Sequence, residues 1–386
     1  TVCRKERVTG IERVAWSIVL ELVRNPPQGY RVEPVYLKSK NTQWSYYYAR
    51  KWTLGLFGCP QDPLQDEPID AYPGDVFLAL DLSRDYVVYG AQAGIYDYLR
   101  NLGVRLYWTV FDILPLTLPR YFPPGSSETF AGWLETISTY AHGLLCISRT
   151  VSRELDQWMQ EQSFQRLRPV QITWFHLGAD FGFPPPNANH DSEQARIDCS
   201  LIHQRPAFLM VGTIEPRKGY LQALAAFDKL WHDGFDVNLI VVGREGWPKT
   251  PEARRRTIPQ IVSRMRGHSE LNIRLFWFDD LGDADLQALY AQATCLIAAS
   301  EDEGFGLPLI EAAKHNLPIL ARDIPVFREV AGESAMYFQG DTAQDLALAV
   351  QKWLQLFRRG QHPKSRDVSW QTWAQSVCQI TQKLCF

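Results

Sequence analysis

The sequence predicts an α/β protein built from two doubly wound parallel-sheet domains. Its 386 residues exceed the roughly 100 to 200 residues that are usual for one domain. Apolar strand-like runs alternate with amphipathic helical stretches along almost the whole chain, which is the pattern of βαβ units. A stretch with three consecutive prolines, residues 181–206, interrupts this alternation near the middle. We therefore expect two Rossmann-like domains that face each other across a ligand-binding cleft.

The first half begins with a predicted helix over residues 10–24, and no predicted strand precedes this helix. A doubly wound domain should have a strand there, so we expect one further strand upstream of Thr1. The remaining runs of this half predict strands at 31–37, 75–81, 103–110, 143–148 and 170–175, with helices at 88–102, 127–141 and 149–161.

The second half repeats the alternation, and we place its first residue at 186, after a first domain of residues 1–185. The domain is expected to end at residue 366. Its predicted strands are 207–212, 237–243, 272–278, 294–300, 317–321 and 335–338, and its predicted helices are 219–232, 251–266, 283–292, 308–315 and 343–357.

Composition excludes several classes of function. Forty Lys and Arg against 43 Asp and Glu give a net charge of -3, so the chain has no basic excess with which to bind nucleic acid. The seven cysteines are scattered without a C-x-x-C pair, which favours a reducing compartment and speaks against a structural zinc site. No apolar run approaches the roughly 18 residues of a membrane span. We expect a cytoplasmic location.

Residues 36–58 mix lysines and arginines with many aromatic side chains. Such a surface suits the interface of a membrane, where rings and cations sit at the level of the lipid headgroups. The alternative is a loop whose aromatic side chains fold back onto the core. The sequence leaves both readings open, and peripheral contact with the inner face of the cytoplasmic membrane is the functional one.

Two glutamates, Glu303 and Glu311, stand eight positions apart after a predicted strand and around the start of a predicted helix. Gly304 and Gly306 leave little side chain over the backbone amides there, and Pro308 suits the first turn. Such a helix N-terminus can bind a phosphate or a sugar hydroxyl. We expect Glu311 in the first turn, within reach of a ribose diol. The alternative is an acidic first turn that only caps the helix.

A second strand-to-helix junction carries Arg217 and Lys218 side by side. A diphosphate needs such cations, and an arginine fork beside a lysine point charge would offset its negative charge. The alternative is a pair of solvated charges at a turn. The presence of the two glutamates elsewhere in the same half favours the binding site.

These stretches together resemble glycosyltransferase family 4, the retaining nucleotide-sugar transferases with the GT-B fold. The resemblance is carried in the second half by residues 211–219, 241–247, 289–300, the Glu303 and Glu311 spacing, and 320–332. It continues in the first half through residues 9–14, 109–124, 146–155 and 175–181. The branch it is most similar to contains bacterial mannosyltransferases of O-antigen and exopolysaccharide assembly. Residues 369–377 resemble the family's final helix, which implies that residues 367–386 cross back to the first domain.

The resemblance implies a role for each matching residue. Arg217 and Lys218 would hold the donor diphosphate, Glu311 the ribose, and Glu303 the donor sugar. Gly10 would lie in a loop that faces the diphosphate, and Asp112 on the acceptor side. The further donor contacts that it implies come from Gly212, Gly243, Phe278, Gly304, Phe305, Gly306 and Leu307.

One position departs from the family pattern. Relatives usually carry a histidine immediately before the aspartate that matches Asp112, whereas this chain has Phe111. The loss of an imidazole puts acceptor binding and activity in question. It motivates an alternative in which the chain is a catalytically weakened subunit that binds a nucleotide sugar or a glycan.

The pair Asp283 and Asp285 has the D-x-D spacing with which some transferases hold a nucleotide-bound cation. The pair stands directly before an amphipathic helix, so helix capping explains it better. We therefore predict no metal site.

The leading hypothesis is a retaining, metal-independent hexosyltransferase that needs no cofactor. Its donor is a nucleoside diphosphate sugar, with mannose from GDP-mannose as the first choice. Its acceptor is a glycan or a lipid-linked glycan of bacterial polysaccharide synthesis. A sugar-nucleotide epimerase on the same fold is a further alternative, and no nucleic-acid partner is expected.

Overall fold

The computed structural model describes residues 10–40, 43–60, 64–80, 83–162, 169–180 and 204–384. The chain divides into two compact units. The first comprises Thr1–Leu116, Gly125–Asn189 and Gln371–Phe386, and the second comprises Thr117–Pro124 and His190–Trp370. The predicted boundary between residues 185 and 186 lies outside the described residues.

The first unit is an α/β unit around a four-stranded parallel sheet with the order β3-β4-β5-β6. The sheet is built by βαβ connections, as the alternating pattern predicts. Its elements are α1 (Gly10–Arg24), β1 (Val35–Lys40), β2 (Gln43–Tyr48), α2 (Arg50–Leu56), β3 (Val76–Ala79), α3 (Arg84–Gln92), α4 (Ile95–Asn101), β4 (Arg105–Val110), α5 (Leu114–Thr117), α6 (Ser126–Tyr140), β5 (Gly143–Cys146), α7 (Arg149–Glu161) and β6 (Gln171–Trp174).

The described part of the aromatic segment, residues 36–40 and 43–58, consists mostly of strands and a helix rather than a loop. Strands β1 and β2 pair in antiparallel register, and helix α2 follows them. The ring of Trp44 stacks on that of Tyr89, with 5.4 Å between centroids, and Tyr46 packs on Phe77. The expectation of a loop was therefore wrong, whereas the expectation that its aromatic side chains fold back onto the unit is met by these contacts.

The single helix predicted over residues 88–102 is two helices. Gly94 interrupts it with a left-handed φ of 72°, so α3 ends at Gln92 and α4 begins at Ile95. Glycine adopts this conformation without the steric cost that other residues meet. The apolar periodicity continues through both helices, which is why the sequence pattern suggested only one.

The second unit contains a six-stranded parallel sheet with the order β12-β11-β10-β7-β8-β9. Its strands are buried along most of their length, which explains their nearly continuous apolar sequences. Its elements are β7 (Ala207–Val211), α8 (Tyr220–His232), β8 (Asn238–Val242), α9 (Ile258–Arg266), β9 (Leu275–Phe278), α10 (Asp283–Gln292), β10 (Cys295–Ala298), α11 (Leu307–Lys314), β11 (Ile319–Arg322), α12 (Pro325–Ala331), β12 (Met336–Phe338) and α13 (Ala343–Arg358).

The last helix, α14 (Trp373–Lys383), belongs to the first unit. It packs against α1. The approach of its first residue is close, because a Cβ on Gly178 would lie 2.6 Å from the backbone nitrogen of Trp373. None of the helices in the described part of the chain is both long and apolar enough to cross a lipid bilayer.

Candidate functional site

The carboxyl ends of β7 and β8 meet at two of the predicted glycines. A Cβ on Gly243 would lie 1.8 Å from the carbonyl oxygen of Gly212, so no larger residue fits at position 243. The hydroxyl of Tyr220 donates a hydrogen bond to the same oxygen at 2.6 Å. The indole of Trp277 donates to the carbonyl oxygen of Gly243 at 2.9 Å. The backbone of these two glycines is therefore held by the hydroxyl of Tyr220 and the indole of Trp277.

Arg217 and Lys218 lie in a short 3-10 turn, Pro216–Lys218, between β7 and α8. Gly219 ends this turn with a left-handed φ of 75°. A Cβ on Gly219 would lie 2.4 Å from the carbonyl oxygen of Ala299, which follows β10. This glycine lets the two cations approach the end of β10.

Replacement of Gly219 by alanine is expected to lower the free energy of unfolding by about 2 to 5 kcal/mol. The left-handed conformation costs about 1 to 2 kcal/mol for an L-residue, and the clash with a backbone carbonyl adds about 1 to 3 kcal/mol. Gly234→Ala is a matched control, because Gly234 has φ 84° and nothing within 4 Å of the added Cβ. Urea denaturation measures both variants, and equal losses would show that the contact with Ala299 is unimportant.

The side chain of Glu303 binds both cations of the turn. Its Oε2 lies 3.0 Å from Nη1 of Arg217, and its Oε1 pairs with Nζ of Lys218. Ser300 donates its hydroxyl to Oε1 at 2.8 Å. Arg217 also pairs with Glu215 at 3.1 Å. These contacts bring together three predicted site residues, two of them 85 positions apart in the chain.

The carboxyl of Glu303 is held in its charged form. Burial alone would raise its pKa, but the positive charges of Arg217 and Lys218 and the hydrogen bonds from Lys218 and Ser300 outweigh burial and lower the pKa to about 2. The site therefore contains a carboxylate that already forms ion pairs with the two cations expected to bind a diphosphate.

The ion pairs of Glu303 are expected to stabilise the fold above about pH 4.5 and to lose that effect as the pH falls towards 2. The sign follows from linkage, because an unfolded glutamate titrates near pH 4.3, whereas the folded one keeps its charge to about pH 2. Urea unfolding midpoints of the wild type and Glu303→Gln, compared from pH 7 to pH 3, measure this. The wild type should be more stable at pH 7 and lose its advantage in acid, and a constant difference would contradict the assignment.

Residues 304–306 form the turn between Glu303 and α11. Gly306 has a left-handed φ of 97°, and a Cβ there would lie 2.8 Å from the ring of Phe327. Phe305 is buried. Helix α11 then begins at Leu307 with Pro308 in its first turn, as expected. The glycine is thus required by the turn itself, whether or not a ligand approaches it.

Glu311 is not in the first turn of α11, and that prediction was wrong. The helix begins at Leu307, which places Glu311 in its second turn, and the first turn has no acidic residue. The alternative that Glu311 caps the helix therefore fails as well. Its side chain is buried and accepts a hydrogen bond at 2.7 Å from the hydroxyl of Tyr290 in α10.

Phe278 ends β9, and its carbonyl oxygen accepts the backbone N–H of Gly243 at 2.9 Å. It therefore stands beside the two glycines at the carboxyl end of the sheet. Asp283 and Asp285 lie in the first turn of α10, where the helix dipole favours a carboxylate. The N-cap of α10 is Gly282, so neither aspartate is the N-cap. Among the described residues, no group of three or more His, Cys, Asp or Glu side chains is arranged to hold a metal ion.

Gly10 and Asp112 belong to the first unit. Gly10 is the exposed first residue of α1. Asp112 follows β4, and its Oδ1 accepts the backbone N–H of Leu114 at 3.1 Å. Phe111 is buried. The remaining predicted site residues lie in the second unit.

Four polar residues that were not predicted from the sequence support the site: Ser300, Tyr220, Tyr290 and Arg322. Arg322 is buried and donates a hydrogen bond to the carbonyl oxygen of Ala299 at 3.2 Å. It also binds the side chain of Gln222. Only Ser300 could have been found from the sequence, because it ends the strand-like run three positions before Glu303.

Comparison with known proteins agrees with the resemblance. Residues 191–364 match the family model described as Glycosyl transferases group 1. The chain is similar to the serotype-specific mannosyltransferase WbdA of Escherichia coli, with 38% identity over 372 residues. It is also similar to the O-antigen chain mannosyltransferase RfbU of Salmonella typhimurium, with 32% identity over 149 residues.

The part of the sequence that is matched differs between the two relatives. The match with WbdA covers 96% of this chain but 43% of WbdA, and that with RfbU covers 39% of this chain and 38% of RfbU. The chain thus spans less than half the length of the WbdA relative.

Solved structures share the fold at low sequence identity. HepE of Anabaena, in complex with UDP and glucose, has a TM-score of 0.57 and 16% identity over 81% of this chain and 77% of its own. A trehalose-phosphate synthase of Burkholderia xenovorans has a TM-score of 0.59 and 12% identity over 78% of each chain. These likenesses confirm the predicted α/β fold of the GT-B type.

Proposed function

We propose that this chain is a hexosyltransferase that uses a nucleoside diphosphate sugar, because residues 191–364 match the family model described as Glycosyl transferases group 1. The observation that carries the proposal is the cluster of Arg217, Lys218 and Glu303 at the carboxyl ends of β7 and β10. In open parallel sheets, ligands bind at that edge. Similarity to WbdA and RfbU supports the proposal independently of the geometry.

Arg217 and Lys218 would act on the leaving group. Negative charge grows on the nucleoside diphosphate as the glycosidic bond breaks, and two cations placed beside it stabilise the transition state more than the ground state. Both cations are held by Glu303 in this structure. Donor binding would exchange the carboxylate of Glu303 for the diphosphate and turn Glu303 towards the sugar.

We propose mannose from GDP-mannose as the donor and a glycan or lipid-linked glycan as the acceptor. The support is that WbdA and RfbU are both named mannosyltransferases, the first as serotype-specific and the second of the O-antigen chain. The family resemblance adds retention of the anomeric configuration. From the same resemblance we propose that Gly10 faces the diphosphate and that Asp112 lies on the acceptor side.

We propose that transfer needs no metal ion and no cofactor. The support is that Arg217 and Lys218 supply the positive charge that a cation would otherwise bring to the diphosphate. Activity should persist in EDTA and change little with added magnesium. A strict requirement for a divalent cation would contradict this part of the proposal.

Peripheral membrane contact is proposed for the hairpin of β1 and β2 and its neighbour α3. The support is the exposure of Tyr86 and Tyr89 next to Trp44, with Lys38 and Lys40 on β1. Aromatic rings beside cations suit an anionic lipid surface. Sedimentation with vesicles that contain phosphatidylglycerol tests it, and equal recovery with neutral vesicles would contradict it.

The main experiment incubates the purified chain with GDP-mannose and a mannose-terminated, lipid-linked oligosaccharide and identifies the products by mass spectrometry. The expected result is an acceptor longer by one hexose and free GDP. Donor binding without transfer would instead support the weakened-subunit alternative motivated by Phe111. A changed donor sugar in the absence of acceptor would identify an epimerase.

A further inference from the structure

Tyr290 lies wholly buried in α10 and points at the second glutamate of the site. Its hydroxyl donates to Oε2 of Glu311 at 2.7 Å, and both side chains are buried in the second unit. A hydrogen bond to a buried carboxylate is stronger than one between neutral groups. It holds the carboxylate in one orientation.

The ring of Tyr290 is itself held in place. His315, which follows α11, stacks on it with 5.8 Å between ring centroids and an angle of 9° between the planes. The imidazole Nε2 of His315 lies in hydrogen-bond contact with the side chain of Gln287, one helical turn before Tyr290. Helices α10 and α11 are thereby joined by a stacked pair next to the carboxylate. The hydroxyl of Tyr290 therefore has little freedom to leave Glu311.

We propose that Tyr290 is a positioning residue that orients Glu311 towards the ribose diol of the donor. The inference rests on the proposed function, in which Glu311 accepts hydrogen bonds from the ribose. A carboxylate with a fixed orientation binds two hydroxyls of a diol better than one that rotates, because less side-chain freedom is lost on binding. Tyr290 thus sets how strongly the site distinguishes a ribose from a deoxyribose.

The test compares the binding of GDP and 2′-deoxy-GDP to the wild type and to Tyr290→Phe by calorimetry. The wild type should prefer GDP by about tenfold, as expected for one hydrogen bond to a charged group. Tyr290→Phe should weaken the binding of GDP by about five- to tenfold and that of 2′-deoxy-GDP much less. The preference for GDP should therefore fall to about twofold. Glu311→Gln serves as the benchmark for full loss of the ribose contact.

A structural role for Tyr290 would give a different result. Tyr337→Phe is the matched control, because Tyr337 donates its hydroxyl to the carbonyl oxygens of Phe327 and Gly332 elsewhere in the same unit. It should leave the preference for GDP unchanged even if it lowers the melting temperature. If Tyr290→Phe weakens both nucleotides equally or only lowers the melting temperature, the inference is overturned.

The proposed function and this inference can fail separately. A wild type that binds no nucleoside diphosphate would overturn the donor proposal and the positioning role with it. A wild type that prefers GDP, together with a Tyr290→Phe variant that keeps the full preference, would overturn the positioning role alone.

Discussion

Replacement of Lys218 by alanine is expected to lower mannose transfer by about 100- to 1,000-fold, the loss typical of removing one group that stabilises transition-state charge. Lys218 stands at the carboxyl edge of the sheet and pairs with Glu303. In the proposed function, its ammonium binds the donor diphosphate. The effect should fall mainly on kcat, because charge on the leaving group grows as the bond breaks. Steady-state rates with GDP-mannose and a mannose-terminated acceptor measure it.

Lys229→Ala provides the matched control for this experiment. Lys229 lies in α8 of the same unit and pairs with Asp233 four residues further on, at 3.5 Å and partly exposed. Such surface pairs contribute little to stability, so this variant should keep nearly full activity. The Lys218→Ala variant should remain folded, with a lower unfolding midpoint than the wild type, because Arg217 continues to pair with Glu303 after one ion pair is lost. Full activity of Lys218→Ala would remove Lys218 from the site.

The strands and most helices can be predicted from the sequence pattern alone, because their buried apolar residues recur at the spacing of a strand or a helix. Strands β7 to β10 are short apolar runs at the predicted places, and helices α1, α7 and α10 match their predicted bounds. The differences occur where a local feature overrides periodicity. Gly94 divides one predicted helix, and helix α9 begins only at Ile258, after the left-handed residue Arg256.

The candidate site was predictable in its residue types but not in its contacts. Arg217, Lys218 and Glu303 each stand at a strand end, and parallel sheets bring such ends to one edge. The ion pairs among them could not be foreseen, since they join segments 85 positions apart. The partner of Glu311 was equally hidden, because Tyr290 belongs to another helix and reads in sequence as an ordinary apolar-face residue.

Replacement of Glu303 by glutamine is expected to have opposite effects on binding and on transfer. In this structure the carboxylate of Glu303 forms ion pairs with the two cations to which a diphosphate would bind. An uncharged amide competes less for them, so GDP should bind about tenfold more tightly, the gain expected from releasing one charge-assisted contact. Transfer should nevertheless fall by about 100-fold or more, because the carboxylate proposed to act on the donor sugar is gone.

Glu301→Gln separates this effect from a general loss of negative charge. Glu301 lies two positions away in the same loop, but its partner is Arg322, at 3.5 Å. Its replacement removes the same charge without freeing Arg217 or Lys218, so GDP affinity should change by no more than about twofold. Calorimetry with GDP and transfer rates with GDP-mannose give the two readouts. If Glu303→Gln binds GDP no better than the wild type, the carboxylate does not compete with the diphosphate. If tighter GDP binding comes with full transfer, Glu303 occupies the cations in the free protein but has no role at the sugar.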